Sequence, residues 1–301
     1  MSLNWPRETA VAAPEAFCWQ HPESNICLDF HGDPRRARLV VFSDGNHHMA
    51  LHESLRLYLT RHEEVQDVFY VTTPPPVLLE ALKRGGVSIG NLQVSVTPHV
   101  FISPPAVLEQ LVSLGYLNGH RPFMRSRGNV LLVRHGNPKR IEGVADLARE
   151  DVRLFLSNPH TERASNEVYV ASLKALAAEI GIELDFLDAD GGTNFSQRIC
   201  FGQRIHHREA PQALVDGRAD VAMIYYHLAL RYVRIFPGVF DIIPLGGKAL
   251  DPQPAPGNAI STFHAGIVGD GGDWGASLLD FLMDHEVGMI YRQHGLARPD
   301  E

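Results

Sequence analysis

One segment, Leu39–Leu59, constrains the fold more than any other part of the chain. It begins with the apolar run Leu39–Phe42, continues through the turn residues Ser43–Asn46, and ends in a stretch whose apolar residues recur at helical spacing. These features predict a buried strand, a tight turn and a helix whose first free N–H groups lie just beyond the carboxyl end of the strand. Helix starts of this kind bind anions, and α/β sheets bind ligands outside these strand ends. The segment therefore predicts an α/β fold with a ligand site at the carboxyl edge of a sheet.

The same strand–helix unit recurs in the residues that follow. Asp67–Val71 and Val100–Ser103 are predicted strands, and each precedes a short predicted helix. Three strand–helix units in series imply a mostly parallel sheet flanked by helices, with right-handed crossovers. The polar stretch Arg121–Gly128 interrupts this series, and we predict that it is a hinge.

A second group of units follows the hinge. Its strands are predicted at Asn129–Arg134, Val152–Ser157, Leu184–Leu187, Asp220–Tyr225 and Val239–Leu245. Residues 246–258 contain three prolines and are predicted to be a linker. Beyond it, Ile260–Val268 is a predicted strand and Ser277–Gln293 a single amphipathic helix.

This grouping predicts two α/β lobes joined by a hinge. A chain of 301 residues is long enough for two domains with real cores. We assign residues 1–36 to an irregular N-terminal arm, residues 37–124 and 258–301 to lobe one, and residues 125–257 to lobe two.

Composition excludes several classes of function. The formal net charge is −8 and no basic stripe occurs, which argues against a nucleic-acid partner. No stretch approaches the roughly 20 apolar residues of a membrane span, so no membrane insertion is expected. The N-terminal residues lack the pattern of a signal peptide. The protein is therefore expected to be periplasmic if an export signal has been removed, and otherwise cytoplasmic.

Nearly every predicted strand ends in small hydroxyl or amide residues just before a helix. Neutral donors beside helix N-termini suit a bound oxyanion, which needs many hydrogen bonds and little buried countercharge. Helix capping uses the same residue types, so a purely structural role is the alternative. The residues in question are Ser43, Asn46, Thr72, Thr73, Ser103, Ser157, Asn158, Thr161, Ser165, Tyr225 and Tyr226.

Histidine is abundant, with 16 residues and the doublets His47-His48 and His206-His207. His48 and His52 share a helix face, but the segment lacks the glutamate of a zinc-protease motif. Solvent-exposed or capping histidines explain this pattern, and a transition-metal site is the alternative.

The arm contains cysteines and histidines whose spacing loosely resembles that of a zinc site. It lacks the glycine-bearing knuckles of zinc modules, and packing of the arm through Phe17, Trp19 and Phe30 is the simpler explanation. The three cysteines of the chain do not make a disulfide framework. The residues with zinc-like spacing are Cys18, His21, Cys27 and His31.

Enzyme motifs are absent. The sequence has no Gly-x-Ser-x-Gly elbow, no phosphate-binding loop with a lysine, and no dinucleotide fingerprint after a strand. We therefore predict no enzymatic activity, no cofactor and no metal site.

Several stretches together resemble the periplasmic molybdate-binding proteins of ABC importers, over about residues 38 to 298. The resemblance implies a type 2 periplasmic-binding-protein fold, in which hydroxyls and backbone N–H groups clamp the ligand between two lobes, and an ABC permease as partner. The stretches are HVFISPPAVLEQLVSLGYL, RPFMRSRGNVLLVRHGNPKRIEGVADLAREDVRLFLSNPHTERAS, EAPQALVDGRADVAMIYYHLAL and LLDFLMDHEVGMIYRQHGLARP.

The resemblance also implies ligand-binding positions. The first-loop serine of the family falls near Asn46, the second-loop serine within Thr73–Pro76, and a backbone amide contact near Ala164–Ser165. The remaining two contacts fall at His207 and Tyr225. Departures from the family pattern are Asn46 itself, the prolines of the second loop, which lack N–H groups, and Asp44, whose carboxylate would repel an oxyanion.

These observations predict a solute-binding protein that captures a small anionic ligand, such as molybdate or tungstate, in the cleft between the lobes. The alternatives are a transition-metal-binding protein or cytoplasmic sensor on the same fold, and an enzyme of the menaquinone-pathway type with His207 as its base. His47, His48 and His206 would add charge-assisted donors if protonated. The predicted ligand-binding residues are Ser43, Asn46, His47, Thr72, Thr73, Asn158, Ser165, His207 and Tyr225.

Overall fold

The computed structural model describes residues 29–89, 92–187 and 198–300, which fall into two compact units. The first, called the N–C unit here, combines the chain from residue 29 to Arg125 with the chain from Ser261 onward. The second, called the middle unit, runs from Ser126 to Ile260. Of the predicted N-terminal arm, residues 1–28 lie outside the described residues, so its zinc-like spacing and aromatic packing remain predictions.

The described residues contain fifteen strands and eight α-helices. The strands are β1 (Phe30–His31), β2 (Leu39–Ser43), β3 (Val68–Thr72), β4 (Gly86–Ile89), β5 (Leu92–Ser95), β6 (Val100–Ser103), β7 (Arg121–Arg125), β8 (Asn129–Arg134), β9 (Leu154–Leu156), β10 (Ile199–Phe201), β11 (Val221–Tyr225), β12 (Phe240–Pro244), β13 (Gly247–Lys248), β14 (Asp251–Pro252) and β15 (Thr262–Ile267). The helices are α1 (His48–Arg61), α2 (Pro75–Arg84), α3 (Pro105–Ser113), α4 (Arg163–Glu179), α5 (His206–Val215), α6 (Tyr226–Ile235), α7 (Gly275–Leu282) and α8 (His285–Gln293).

A six-stranded sheet forms the centre of the N–C unit, in the order β1-β3-β2-β6-β15-β7. The strands β3, β2 and β6 run parallel, as the strand–helix series predicts, while β1, β15 and β7 pair antiparallel with their neighbours. Alternate residues of β2 face opposite cores, because side chains alternate along a strand. Leu39 and Val41 pack with residues of α1, α7 and α8, and Val40 and Phe42 pack with residues of α2 and α3.

A five-stranded sheet forms the centre of the middle unit, in the order β10-β9-β11-β8-β12. The strands β10, β9 and β11 are parallel, and β8 lies antiparallel between β11 and β12. One hydrophobic core joins this sheet to helices α4, α5 and α6. The predicted α/β class and the parallel strand–helix units are thus confirmed in both units.

Two predicted elements differ from the structure at points where residues far along the chain make contacts. The predicted single helix Ser277–Gln293 breaks between α7 and α8, where Arg298 Nη2 donates hydrogen bonds to the carbonyl oxygens of Leu282 (3.0 Å) and Asp284 (2.5 Å). The predicted break and hinge Arg121–Gly128 begins with strand β7, whose partner is β15 from the far end of the chain, and the boundary between the two units falls within this stretch, after Arg125.

Two shorter predictions also differ from the structure. The predicted strand Leu184–Leu187 contains a 3-10 turn, Asp185–Leu187, and is too short to be distinguished from a turn by its apolar residues alone. The predicted linker 246–258 contains the small hairpin of β13 and β14. Gly246 and Gly247 have positive φ angles of 110° and 74°, and a Cβ atom on either would lie within 2.3 Å of the backbone of Gln253.

A buried amide bridge fixes the last residues of the middle unit. Asn258 Oδ1 accepts the backbone N–H of Asn129 at 2.8 Å, and Asn258 Nδ2 donates to the carbonyl oxygens of Asn129 (2.9 Å) and Leu245 (3.2 Å). Ser172 Oγ accepts the N–H of Ala259 at 3.1 Å. These contacts join the start of β8, helix α4 and the chain end that leaves the unit.

We expect Asn258→Ala to lower the free energy of unfolding by about 3 kcal/mol, because it leaves the buried N–H of Asn129 without an acceptor. Chemical denaturation measures this loss, with Asn118→Ala, at an exposed asparagine, as the matched control. A loss no greater than that of the control would contradict the structural role of the bridge.

Candidate functional site

Parallel strands bring polar residues to one edge of each sheet. In the N–C unit, the last residue of β2, Ser43, is in register with Thr72 on β3 and with Ile102 on β6. Asp44, Thr73 and Ser103 therefore come next to one another along this edge. In the middle unit, Ser157 follows β9, and Tyr225 ends the adjacent strand β11.

The first loop of the N–C unit is held by a buried chain of hydrogen bonds. Ser43 Oγ donates to the carbonyl oxygen of Asp44 (3.1 Å) and lies 3.2 Å from His47 Nε2, while His47 Nδ1 lies 2.9 Å from the hydroxyl of Tyr291. A neutral His47 satisfies all three contacts when Nε2 carries the proton and Tyr291 donates to Nδ1. Ser43 and His47, both predicted to bind ligand, are thus placed in a network that fixes the loop.

Asp44 is a buried carboxyl group on this edge. Its side chain is part of a residue only 6% exposed, and its Oδ1 atom accepts the N–H of Asn46 at 2.9 Å. Burial raises the pKa of Asp44 to about 6, against the smaller lowering effect of that hydrogen bond. The predicted site residue Asn46 is partly exposed, and its side-chain amide makes no hydrogen bond to any other residue that the structure describes.

Prolines remove backbone donors from the other two loops of the N–C unit. Helix α2 has Pro74 as N-cap and begins with Pro75 and Pro76, and helix α3 has Pro104 as N-cap and begins with Pro105. None of these residues has an N–H group. The backbone donors that the strand–helix pattern predicts at these two helix starts are therefore greatly reduced.

Two buried hydroxyl groups remain at this edge without a partner. Thr73 is 6% exposed and Ser103 is fully buried, and neither Oγ atom has a hydrogen-bond partner in the described part of the chain. The neighbouring predicted residue, Thr72, differs because its Oγ1 lies 3.3 Å from His31 Nε2. Buried polar atoms without a partner are rare in native proteins, and each calls for an explanation.

The middle unit has a matching feature beside the start of α4. Ser157 is fully buried, and its Oγ atom has no hydrogen-bond partner among residues 29–89, 92–187 and 198–300. Its carbonyl oxygen accepts Asn166 Nδ2 at 2.7 Å, which places Ser157 against the first turn of α4. The N-cap Glu162 forms no side-chain cap, so the N–H groups of Ala164 and Ser165 stay available to a ligand.

Asn158 and Ser165 were both predicted, and the structure places them at opposite ends of the turn that leads into α4. Asn158 Oδ1 accepts the N–H of His160 at 2.8 Å, so this oxygen has a capping role. Ser165 lies in the first helical turn and is partly exposed.

Carboxylates of the protein occupy the start of α5. Glu209 accepts the N–H groups of Gln203, Arg204 and Ile205 at 2.7–2.9 Å, and Glu162 Oε2 accepts the N–H of His206 at 2.8 Å. Burial, with the charge of Glu209, raises the pKa of Glu162 to about 7. An anion is therefore not expected to use these four N–H groups.

His206 and Tyr225 of this edge belong to an aromatic cluster. His206 stacks on Phe155 at 5.2 Å, and burial lowers its pKa to about 4, so the predicted protonated donor is neutral near pH 7. The carbonyl oxygen of His207 accepts the hydroxyl of Tyr232 at 2.5 Å. The ring of Tyr225 lies 5.2 Å from that of Tyr169.

Neither a metal cluster nor a membrane span occurs in the described ranges. No group of three or more His, Cys, Asp or Glu side chains there is placed to hold a metal ion. No helix there is both long and apolar enough to cross a bilayer. Cys18, His21 and Cys27 lie outside these ranges, and the fourth residue of that set, His31, stacks on Tyr70 at 4.3 Å.

Each of the two units is thus an α/β unit with a polar edge at the carboxyl ends of its parallel strands. The chain belongs to the bacterial extracellular solute-binding protein family, whose sequence profile matches residues 39–297. No curated protein sequence matches it.

Solved structures with a similar fold include three binding proteins of low sequence identity. The periplasmic molybdate-binding protein of Azotobacter vinelandii has a TM-score of 0.56 at 16% identity, covering 87% of this chain and 100% of that protein. A sulfate-binding protein of Mycobacterium tuberculosis has a TM-score of 0.56 at 17% identity, covering 87% and 86%. A ferric-binding protein of Campylobacter jejuni has a TM-score of 0.55 at 14% identity, covering 87% and 87%. The resemblance to type 2 periplasmic binding proteins is thereby confirmed, at the level of the fold.

Asp44 gives a prediction about stability. Because the pKa of Asp44 is raised on folding, the folded protein binds more protons than the unfolded chain between about pH 4 and pH 6, and stability falls as the pH rises through this window. We expect Asp44→Asn to remove this loss. The free energy of unfolding of the variant minus that of the natural protein is therefore expected to increase by about 2 kcal/mol between roughly pH 4.5 and pH 7.5.

Chemical denaturation at both pH values measures this difference. The same substitution at the exposed Asp273 is the control. If the difference in free energy of unfolding between Asp44→Asn and the natural protein is the same at the two pH values, Asp44 keeps an ordinary pKa in the folded protein.

Proposed function

We propose that this protein captures a small oxyanion for ABC-type import. The observation that carries the proposal is the set of three buried hydroxyls, Thr73, Ser103 and Ser157, which end or follow strands at the polar edges of both units and have no partner among the described residues. A buried polar group without a hydrogen bond costs about 1–3 kcal/mol. A ligand that bonds these hydroxyls would offset that cost.

The chemistry of these groups supports an oxyanion. Hydroxyls donate hydrogen bonds without bringing a charge, and the free N–H groups of Ala164 and Ser165 begin a 17-residue helix whose dipole favours negative charge. Molybdate and tungstate are the ions that the resemblance predicts, and one neighbour in fold binds molybdate and another sulfate.

Membership in the family supports the physiological setting. Solute-binding proteins of this family are extracellular, so we propose that the protein acts in the periplasm and delivers its ligand to an ABC permease. No observation among the described residues favours the sensor or the enzyme alternative over this role.

Isothermal titration calorimetry against molybdate, tungstate, sulfate and phosphate tests the proposal. We expect one ion bound per chain, and we expect Thr73→Val and Ser103→Ala, both at the edge of the N–C unit, each to weaken its binding about tenfold, the effect of losing one neutral hydrogen bond. Thr60→Val and Ser113→Ala are matched controls, because their exposed hydroxyls bond only to their own helices.

Two results would contradict the proposal. One is the absence of binding heat with every oxyanion, with zinc or ferric ions giving heat instead. The other is tight binding of an oxyanion that neither the Thr73 nor the Ser103 substitution weakens.

A further inference from the structure

Asp44 has an oxygen atom available to a ligand. Its Oδ1 atom accepts the N–H of Asn46 at 2.9 Å, while its Oδ2 atom makes no hydrogen bond to any residue that the structure describes. Asp44 is fixed beside the strand ends, since its N–H donates to the carbonyl oxygen of Ile102 at 3.0 Å. A Cβ atom on the next residue, Gly45, would lie 2.6 Å from the carbonyl oxygen of Thr72, so the loop closes directly on the end of β3.

The residues that carry the two hydroxyls without a partner are backbone neighbours of the loop that holds Asp44. Ser103 directly follows Ile102, to which Asp44 is bonded, and Thr73 directly follows Thr72, against which Gly45 packs. Asp44, Thr73 and Ser103 are all buried and occupy adjacent positions at the edge of the N–C unit, and they are here called the Asp44 cluster. The hydroxyls can donate or accept a hydrogen bond, whereas an ionised carboxylate only accepts.

Among the described residues, no cation offsets a negative charge on Asp44. In the part of the chain that the structure describes, no Lys or Arg pairs with Asp44, and only burial and the Asn46 N–H affect its pKa. The helix starts on either side carry prolines instead of N–H donors. Since burial raises the pKa of Asp44 only to about 6, the group is mostly ionised at about pH 7.5.

An ionised Asp44 distinguishes between oxyanions of the same shape. A fully deprotonated tetrahedral ion, such as sulfate or molybdate, would set an oxygen lone pair and a negative charge against Oδ2 with no proton between them. An ion that keeps an acidic proton near neutral pH, such as hydrogen phosphate or hydrogen arsenate, would donate its O–H to Oδ2. A ligand that leaves a buried polar group of the site without a hydrogen-bond partner binds much more weakly than a ligand that supplies the partner.

We propose that Asp44 sets ligand specificity and that the ligand is an oxyanion that carries a proton, of the hydrogen phosphate type. The O–H group of this ligand donates to Asp44 Oδ2, while Thr73 and Ser103 donate to its other oxygens. This inference rests on the proposed function. Within the oxyanion class it favours ions that carry a proton over the molybdate and tungstate that the resemblance predicts.

Competition between ions tests this inference. The natural protein and Asp44→Asn are titrated with phosphate, arsenate, sulfate and molybdate at about pH 7.5. For the natural protein we expect phosphate and arsenate to bind roughly a hundredfold more tightly than sulfate and molybdate. For Asp44→Asn, whose amide can donate to a deprotonated oxygen, we expect this ratio to fall to about ten or less, with tighter binding of sulfate and molybdate.

Asp273→Asn is the control and is expected to keep the ratio of the natural protein. Thermal unfolding without ligand checks that Asp44→Asn is folded. Equal affinity of the natural protein for phosphate and molybdate, or a ratio that Asp44→Asn leaves unchanged, overturns the inference and leaves oxyanion capture intact. Absence of binding by all four ions, in both proteins, overturns oxyanion capture and the inference together.

Discussion

The parallel pairing of strands within each unit is the constraint on which the rest of the structure depends. Because β2, β3 and β6 point the same way and lie in register, the residues after them meet at one edge of the sheet. The same holds for β9, β10 and β11 of the middle unit. Apolar residues fill both faces of these sheets, so the strand ends are where polar groups collect.

Polar groups at these edges divide into two kinds. Some are satisfied within the protein, such as Ser43 and His47, or the N–H groups bonded by Glu209. These groups fix the shape of the loops. Others are buried but unsatisfied, namely Thr73, Ser103 and Ser157. Only the unsatisfied groups gain a missing hydrogen bond when a ligand binds. The hydrogen-bond partners of each residue therefore distinguish candidate ligand-binding groups from residues of the same chemical type that only hold the loops in place.

The order of strands and helices could be predicted from sequence, because apolar periodicity, turn residues and stop signals are local. The prolines at the starts of α2 and α3 were equally visible, as was the unusual position of Asp44. By contrast, strand β7 could not be predicted, since its pairing with β15 depends on residues far along the chain. The break between α7 and α8 depends in the same way on Arg298.

The roles of individual site residues were harder to predict than the fold. Ser43 and His47 have the residue types of ligand donors, and only the contact with Tyr291, 244 residues away in sequence, shows that the structure uses them internally. Ser103 and Ser157 belong to the strand-end pattern but carry no local signal that separates them from capping residues. Whether a hydroxyl is buried and unpaired is a property of the packed unit and cannot be read from spacing.

The most direct test of the account is a crystal structure of the protein with its most tightly bound oxyanion. The account predicts ligand oxygen atoms within hydrogen-bonding distance, about 2.5–3.0 Å, of the hydroxyl oxygens of Thr73 and Ser103. Hydroxyls that instead bond to ordered water molecules, with the ion held elsewhere on the protein, would contradict it.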